Sequence, residues 1–487
     1  MVTAPPPAGQ TRPGLSWPDA AGWVQALAMA AIFGVVLFAP PVLLDGDTYW
    51  HLAAGDWMID HRRVLAVDVF SHTYAGRPWL SHEWFAEVVM ALAVRLGGWN
   101  GLLVLSGLAA AATVGVVASR LRQFLSATSL LVVLVLVMGL MAPSLLARPH
   151  LIALPLLAVW TVELLRARDL DRAPRLFLPV LMVLWANLHA SYALGIAVMG
   201  LFALEALVEG RRDPWPVIRA WAPVGLLSLG AAMLTPHGPA GLLYPFQTSA
   251  MTTLSAITEW LPADFTKPGP FELTLLATLF VCLRHGVRIP VLRLALLLLL
   301  LHMGLQHARH QVLLAVIGPL IVAPALAEAW GRERLAQVRS RAVVVVFVVL
   351  AVGLTAARWV KPVARGDDAA TPAAALAHLP PGLAERPVFN AYRFGGYLIH
   401  RGVRPFIDGR ADMYGDAFFA AYLKARGEGG PALDRTLARY RIDWTLLETG
   451  EPLIREMDAK PGWRRVWSDR YAVIHVRTTA LPAPSAP

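Results

Sequence analysis

Asp45-Gly-Asp47-Thr-Tyr-Trp-His51-Leu follows at once on an apolar run over residues 23–44. About 20 apolar residues cross a bilayer as a helix, so the run is a first span and both aspartates emerge at a membrane face. It is too long for a removable signal peptide, and it ends in Asp-Gly-Asp where a cleavage site would have small residues. Outward from it, further apolar runs lie at 102–119, 130–147, 151–165, 176–185, 192–207, 217–234, 271–283, 291–303, 312–329 and 342–356. Short breaks carrying arginines, or Pro, Gly and His, separate them. Together they predict a multi-span α-helical membrane protein with about eleven transmembrane helices.

Composition agrees. The chain has 487 residues, 56% hydrophobic and 16% charged, against roughly 25% charged in an average soluble protein. With a mean hydropathy of +0.53, too few polar residues remain to wet the surface of a single soluble domain, which is excluded. A net charge of +10 would raise nucleic acid as a partner for a soluble chain. Here basic residues gathered in cytoplasmic loops account for it, and no nucleic-acid partner is expected. The single cysteine, Cys282, excludes a disulfide framework and any Cys-rich zinc or iron–sulfur site.

Arginine placement sets the orientation. With a cytoplasmic N-terminus, alternate connections hold seventeen basic residues, beginning with Arg12 and ending with Arg341, and the opposite connections hold seven. Residues 1–22 then form a cytoplasmic tail, 23–357 the transmembrane domain with a long first outer loop over 45–99, 358–381 a linker, and 382–487 an extracytoplasmic domain. Ten of the fourteen histidines fall in that first loop or at outward-facing helix ends. As a group they point to a shared polar cavity opening outward.

The first loop is too polar for lipid and too aromatic for a free linker. Trp50, Trp57, Trp79, Trp84 and Trp99 would hold it at the headgroup level. One short helix is predicted from Asp47, capped by Thr48 or Asp47 itself, and a second from about Ser81, with Glu83 and Glu87 one turn apart. Asp47 and His51, four residues apart, share a helix face. Oxygen donors with one imidazole suit Mg²⁺ or Mn²⁺, which makes Asp47 and His51 a candidate metal pair. An aspartate in a water-poor site equally serves as general base, and Asp47 and Asp45 are the candidate catalytic residues. The plainer reading has both aspartates merely capping a helix.

Asp47-Thr-Tyr-Trp-His51-Leu directly after a first span, with Asp45 two residues before, resembles the first-loop aspartate motif of the GT-C superfamily of membrane glycosyltransferases. The run through Gly55, Asp68, Phe70-Ser71, Gly76-Arg-Pro-Trp79 and Glu83-Trp84 is similar to a group of bacterial multi-span proteins of that superfamily. So are Thr235-Pro-His-Gly238 with Thr258-Glu259-Trp260-Leu-Pro262, and Gly395-Gly396-Tyr397 with Phe406-Ile-Asp408-Gly409-Arg410-Ala-Asp412-Met-Tyr414. The resemblance implies a GT-C-like fold and inverting transfer of a hexosyl or pentosyl group from a polyprenyl-phosphate donor, with Asp47 as base or metal ligand and Asp45 as secondary candidate. It also implies a bacterial plasma (inner) membrane location and a role in the cell envelope. Two departures stand out. The turn Ala147-Arg148-Pro149-His150 holds no acid where many relatives carry a second acidic pair, and the Trp-Trp-Asp-Tyr-Gly motif of oligosaccharyltransferases is absent. The second speaks against protein N-glycosylation.

Other outward polar residues fill in the expected substrate site. Asn187, His189 and Tyr192 interrupt about thirty apolar residues, and irregular backbone at membrane depth is tolerated where it lines a cavity; gluing neighbouring spans is the competing reading. Arg309 and His310 sit in the densest polar cluster at an outer helix end. A guanidinium suits phosphate, so Arg309, with Arg148 second, is the candidate for a lipid-linked phosphate. Glu259 lies in a proline-rich outer loop placed to lid the cavity.

After Arg358 the composition becomes soluble-like. Strands are expected at 387–390, 405–407, 444–447, 466–467 and 472–476, alternating with helices at 396–401, 417–426 and 433–440, which is a small α/β domain. Asp408, Arg410, Asp412 and Tyr414 read as a surface turn or as ligand contacts after a strand. No P-loop, GxGxxG or Ser-elbow motif supports nucleotide or hydrolase chemistry. The expected function is an integral membrane glycosyltransferase that moves a sugar from a polyprenyl-phosphate donor to an acceptor glycan, lipid or protein at the outer face. The alternative is a non-catalytic membrane protein that binds lipid-linked saccharide or organises envelope-polymer assembly.

Overall fold

The computed structural model describes residues 17–210, 213–332, 334–335 and 341–481. Most of the 1–22 tail, and Arg12, Arg211, Arg212 and Arg339 of the orientation argument, lie outside the described residues.

The first span is α1 (Ala20–Phe38), started by Asp19, whose carboxylate accepts from Gly22 N at 2.8 Å. It stops before Pro40-Pro41, which cannot continue the backbone ladder. α2 (Asp47–His61) starts two residues after Asp45. α3 (Trp84–Leu121) is one long element with a break at Gly97-Gly98, where Gly98 has φ 58°, a conformation that glycine adopts without steric cost. Its first part is the second loop helix expected from about Ser81, and its second part is the span. There follow α4 (Ala127–Met141), α5 (Pro149–Asp169), α6 (Phe177–Leu188), α7 (Tyr192–Glu209) and α8 (Trp215–Ala231). Next come α9 (Pro239–Ser249), α10 (Pro270–Arg284), α11 (Val291–Gln306), α12 (Gln311–Ala329) and α13 (Arg341–Val360).

Among the described residues seven helices are long and apolar enough to cross a membrane, and α6 and α11 are apolar but shorter. The apolar runs at 217–234 and 271–283 fold as α8 and α10, of 17 and 15 residues, and neither is among those seven. α3 is central, packed against α1 and α5. At one end of the bundle Arg120 pairs with Asp169, Arg334 with Asp169 at 3.0 Å and Arg293 with Glu205 at 2.7 Å. Asp45, Asp47 and Arg148 stand at the other end, where α1 finishes and α5 begins.

Residues 388–477 contain a four-stranded sheet of order β1 (Val388–Asn390), β2 (Trp444–Glu448), β4 (Ala472–Arg477), β3 (Trp463–Ser468). β1 and β2 run parallel and the other pairs antiparallel. α14 (Ala373–Ala377), α15 (Gly395–His400), α16 (Ala411–Gly427), α17 (Gly430–Arg439) and α18 (Leu453–Ala459) complete this part. The strand expected at 405–407 is irregular instead. The Asn390 side chain accepts from Phe406 N and donates to Ile407 O, both at 2.8 Å, and so takes the place of a partner strand.

The first loop is the adhesive between sheet and bundle. His72 Nε2 lies 3.0 Å from Val388 O, Thr73 Oγ1 donates to Phe406 O at 2.8 Å, and Tyr74 donates to Tyr414 O at 2.9 Å. At its centre Arg410, fully buried, binds Asp68 and Asp408, each at 2.7 Å. The expectation that 408–414 forms a surface turn or a ligand-contact run is thus corrected for Asp408 and Arg410: both are buried at a contact between segments 342 residues apart.

Candidate active site

Backbone contacts bring the site together. Ala147 N donates to Val42 O at 2.9 Å and Thr48 Oγ1 to Ala147 O at 3.1 Å, which seats the start of α5 beside the start of α2. Pro149 then opens α5, where its missing N–H costs nothing, and the preceding Arg148 side chain reaches back. Its guanidinium meets Asp47 at 2.7 Å, Asp45 at 3.2 Å and Glu259 at 2.7 Å. On its far side Glu259 meets Arg309 at 2.9 Å, and Arg309 stacks over Trp260 at 4.6 Å. Acids and bases therefore alternate from Asp47 to Arg309.

Electrostatics separate two acids of this array, Asp47 and Glu259. Burial raises Asp47 to about 7, Arg148 opposing the shift and Asp45 and Glu259 adding to it. Burial pushes Glu259 the same way, yet Arg148 and Arg309 together hold it at about 2. Asp47 is thus a carboxylate that exchanges its proton near neutrality, while Glu259 stays an anion. With 20% of its side-chain surface exposed, Asp47 remains reachable.

A second cluster adjoins it. Nitrogens of His51, His82 and His189 face the Glu83 carboxylate at 3.8, 3.6 and 3.4 Å. Burial makes His51 hard to protonate and takes His189 to about 3. Burial opposes ionisation of Glu83, but His82 beside it, by charge and hydrogen bond, holds it well below the ordinary carboxylate value. Beside this cluster a small pocket of about 10 Å³ is lined by His82, Tyr192, Thr235, His237 and Tyr244 among others.

An oligosaccharyltransferase from Archaeoglobus fulgidus, in its apo form, matches this structure with a TM-score of 0.51 at 12% identity, over 88% of this chain and 69% of that one. AglB from the same organism, in complex with an inhibitory peptide and a dolichol-phosphate, gives 0.51 at 11% identity over the same shares. ArnT from Cupriavidus metallidurans bound to undecaprenyl phosphate gives 0.50 at 14% identity, over 96% of this chain and 100% of that one. The fold is that of the GT-C membrane glycosyltransferases. No family model and no curated protein matches the sequence.

Within this GT-C fold the residues singled out in the sequence separate. Asp45, Asp47, Arg148, Glu259 and Arg309 form one array. His310 flanks it, its ring 5.9 Å from that of Trp260. His189 belongs to the Glu83 cluster. Tyr192 lines the cavity, but its hydroxyl is spent on Gly241 O at 2.6 Å. Asn187 is not brought into the site: it donates to Val183 O and Leu234 O and accepts from Trp84 Nε1 at 2.7 Å, the role of glue between helices.

The metal pair is also corrected. His51 turns to Glu87 at 3.1 Å and to Glu83, while Asp47 turns to Arg148. Among the described residues no group of three or more His, Cys, Asp or Glu could hold a metal ion, and the space between the carboxylates is filled by a guanidinium. The residues present do not fit a divalent cation.

Two features had weak or no sequence signal. Glu83 sits inside the quoted first-loop motif, but nothing there shows that three histidines surround it. Gly409 presses its backbone on Asp47 so closely that a Cβ there would overlap the carboxylate and the Trp50 indole nitrogen. Tyr392 supports this contact, its hydroxyl donating to Gly409 O at 3.1 Å. The sheet-bearing part of the chain therefore forms one wall of the Asp47 site.

The loop that carries Glu259 is latched to the same part. Asp416 accepts from the backbone N–H of Thr252 and Thr253, each at 3.0 Å, and from their hydroxyls at 3.1 and 2.6 Å. These hydrogen bonds lower Asp416 to about 2, so the latch holds above the ordinary aspartate range and is lost only as the pH falls towards that value. Asp416→Ala is expected to speed proteolysis within residues 250–262, with the bundle's thermal midpoint unchanged. Unchanged cleavage of that segment would show that the latch does not hold the loop.

Proposed function

We propose that this protein is a glycosyltransferase that moves a sugar from a polyprenyl-phosphate donor to an acceptor hydroxyl at the outer face of the plasma membrane, inverting the anomeric centre. The observation that carries the reading is Asp47: a reachable carboxylate titrating near neutrality at the membrane-face end of α1, set in an array of acids and arginines in a GT-C fold. AglB and ArnT, which share that fold, have been captured with dolichol-phosphate and undecaprenyl phosphate, and a donor of the same chemical class is proposed here.

The acceptor oxygen attacks the anomeric carbon as its proton passes to Asp47. The bond from that carbon to the phosphate oxygen breaks, and polyprenyl phosphate leaves with the electron pair. Arg309, half-buried at the far end of the array, meets the phosphate, and a guanidinium matches its oxygens two at a time. Glu259, locked as an anion, orients both arginines.

The direct test is the full chain in lipid nanodiscs, supplied with a panel of polyprenyl-phosphate sugars and assayed for released polyprenyl phosphate by mass spectrometry, alongside envelope glycans from cells with and without the gene. Release and a missing glycan are expected. No release from any donor, with glycans unchanged, would leave the non-catalytic reading instead. Asp47 acts deprotonated, so kcat/KM is expected to fall as the pH drops through about 7 and to level off above it. A profile flat from pH 5 to pH 8 would remove Asp47 as the base.

A further inference from the structure

We propose that the Arg148 guanidinium is the resident cation of this site, filling the place between Asp45, Asp47 and Glu259 that a divalent ion would otherwise take. The inference rests on the reading of those carboxylates as the reaction centre, but its test does not use transfer.

Three carboxylates from two separate segments meet around one guanidinium, Asp45 and Asp47 from the stretch that opens α2 and Glu259 from the proline-rich loop, at ion-pair distances of 3.2, 2.7 and 2.7 Å from the Arg148 nitrogens. Left alone, three negative charges in a region where Arg148 itself is only 14% exposed would repel strongly, so the arrangement demands a cation. An all-oxygen donor set is the kind that hard divalent ions take. Here the charge is supplied covalently. Arg148 is pinned by its neighbour Ala147, held from both sides by Val42 and Thr48, and by Pro149 behind it. An arginine cannot be chelated away or deprotonated in the physiological range. The one imidazole on α2 that could complete a metal's coordination, His51, is turned away to Glu83 and Glu87.

The exchange has a chemical consequence. A divalent ion strips protons from its ligands, whereas a single positive charge shared among three acids leaves Asp47 able to accept one. Arg148 is in this sense a positioning residue that leaves its neighbour basic.

The experiment uses the purified full chain in nanodiscs and Mn²⁺ as the probe, followed by its electron paramagnetic resonance signal. The wild type is expected to bind no Mn²⁺ at this site, and its thermal midpoint should not move with either Mn²⁺ or EDTA. Arg148→Ala opens the three carboxylates and is expected to take up one Mn²⁺ per chain, about tenfold or more tighter than the wild type, and to lose it again in Arg148→Ala/Asp47→Asn. Stoichiometric Mn²⁺ on the wild type, abolished by Asp47→Asn, would overturn the proposal, and so would a folded Arg148→Ala that takes up none. Should Arg148→Ala fail to fold, the wild-type measurements decide alone. A protein without transferase activity can still pass or fail every arm, so failure here and failure of the glycosyltransferase reading are distinct.

Discussion

Asp47→Asn is expected to lower the rate of sugar transfer by about 10²–10⁴-fold, the contribution typical of a general base, while the protein stays folded. The asparagine keeps the shape of the side chain but loses the charge that pairs with Arg148 and cannot take the acceptor's proton. Asp47 is the array member whose carboxylate titrates near neutrality and keeps 20% of its side chain exposed, so no neighbour substitutes for it. Asp45→Asn should cost far less, because Asp45 acts mainly through the Asp47 N–H it accepts at 2.9 Å and through Arg148. Initial rates of polyprenyl phosphate release, with thermal midpoints as the control, decide the matter. An Asp47→Asn rate within a few-fold of the wild type would rule out the proposed base.

Arg410→Ala is the second large effect, and it acts on stability. Arg410 is completely buried between Asp68 and Asp408. Removing it strands two carboxylates without their counter-charge, which costs about 3–5 kcal/mol. The exposed pair Arg465–Asp458 provides the contrast, since breaking a surface pair costs about 0–1 kcal/mol. Arg410→Ala should free the sheet-bearing domain from the first loop. Limited proteolysis near residues 365–390 and a lowered thermal midpoint would show it. Transfer should fall as well, because Gly409 and Tyr392 on that domain wall the Asp47 carboxylate. An Arg410→Ala chain as resistant as Arg465→Ala would mean that the buried pair does not hold the domains together.

Much of the membrane architecture is legible because a bilayer imposes length and polarity rules on each segment separately. The run before Asp45 reads as a helix from its own residues, and α1 is that helix. Asp47 is legible as the candidate base for the same local reason: acids directly after a span stand at a membrane face. Arg148 and Arg309 could be picked out as polar residues at helix ends and Glu259 as one in an outer loop, but not as partners of one another. The metal reading failed on this point. Asp47 and His51 share a helix face by spacing, yet what each side chain meets is set by other elements, Arg148 from α5 and Glu83 and Glu87 from the start of α3.

By itself, then, the sequence determined the class of fold, the spans whose apolar length is plain, and the end of the bundle where the acids gather, since these follow from local composition and helical period. Only the tertiary structure decided which charges neutralise which, that Asn187 serves packing, that Glu83 lies amid three histidines, and that Arg410 joins Asp68 across 342 residues. Ion pairing and burial depend on distances between segments that no local pattern encodes. The choice between a metal ion and a guanidinium at Asp47 therefore waits on where α5 begins relative to α2.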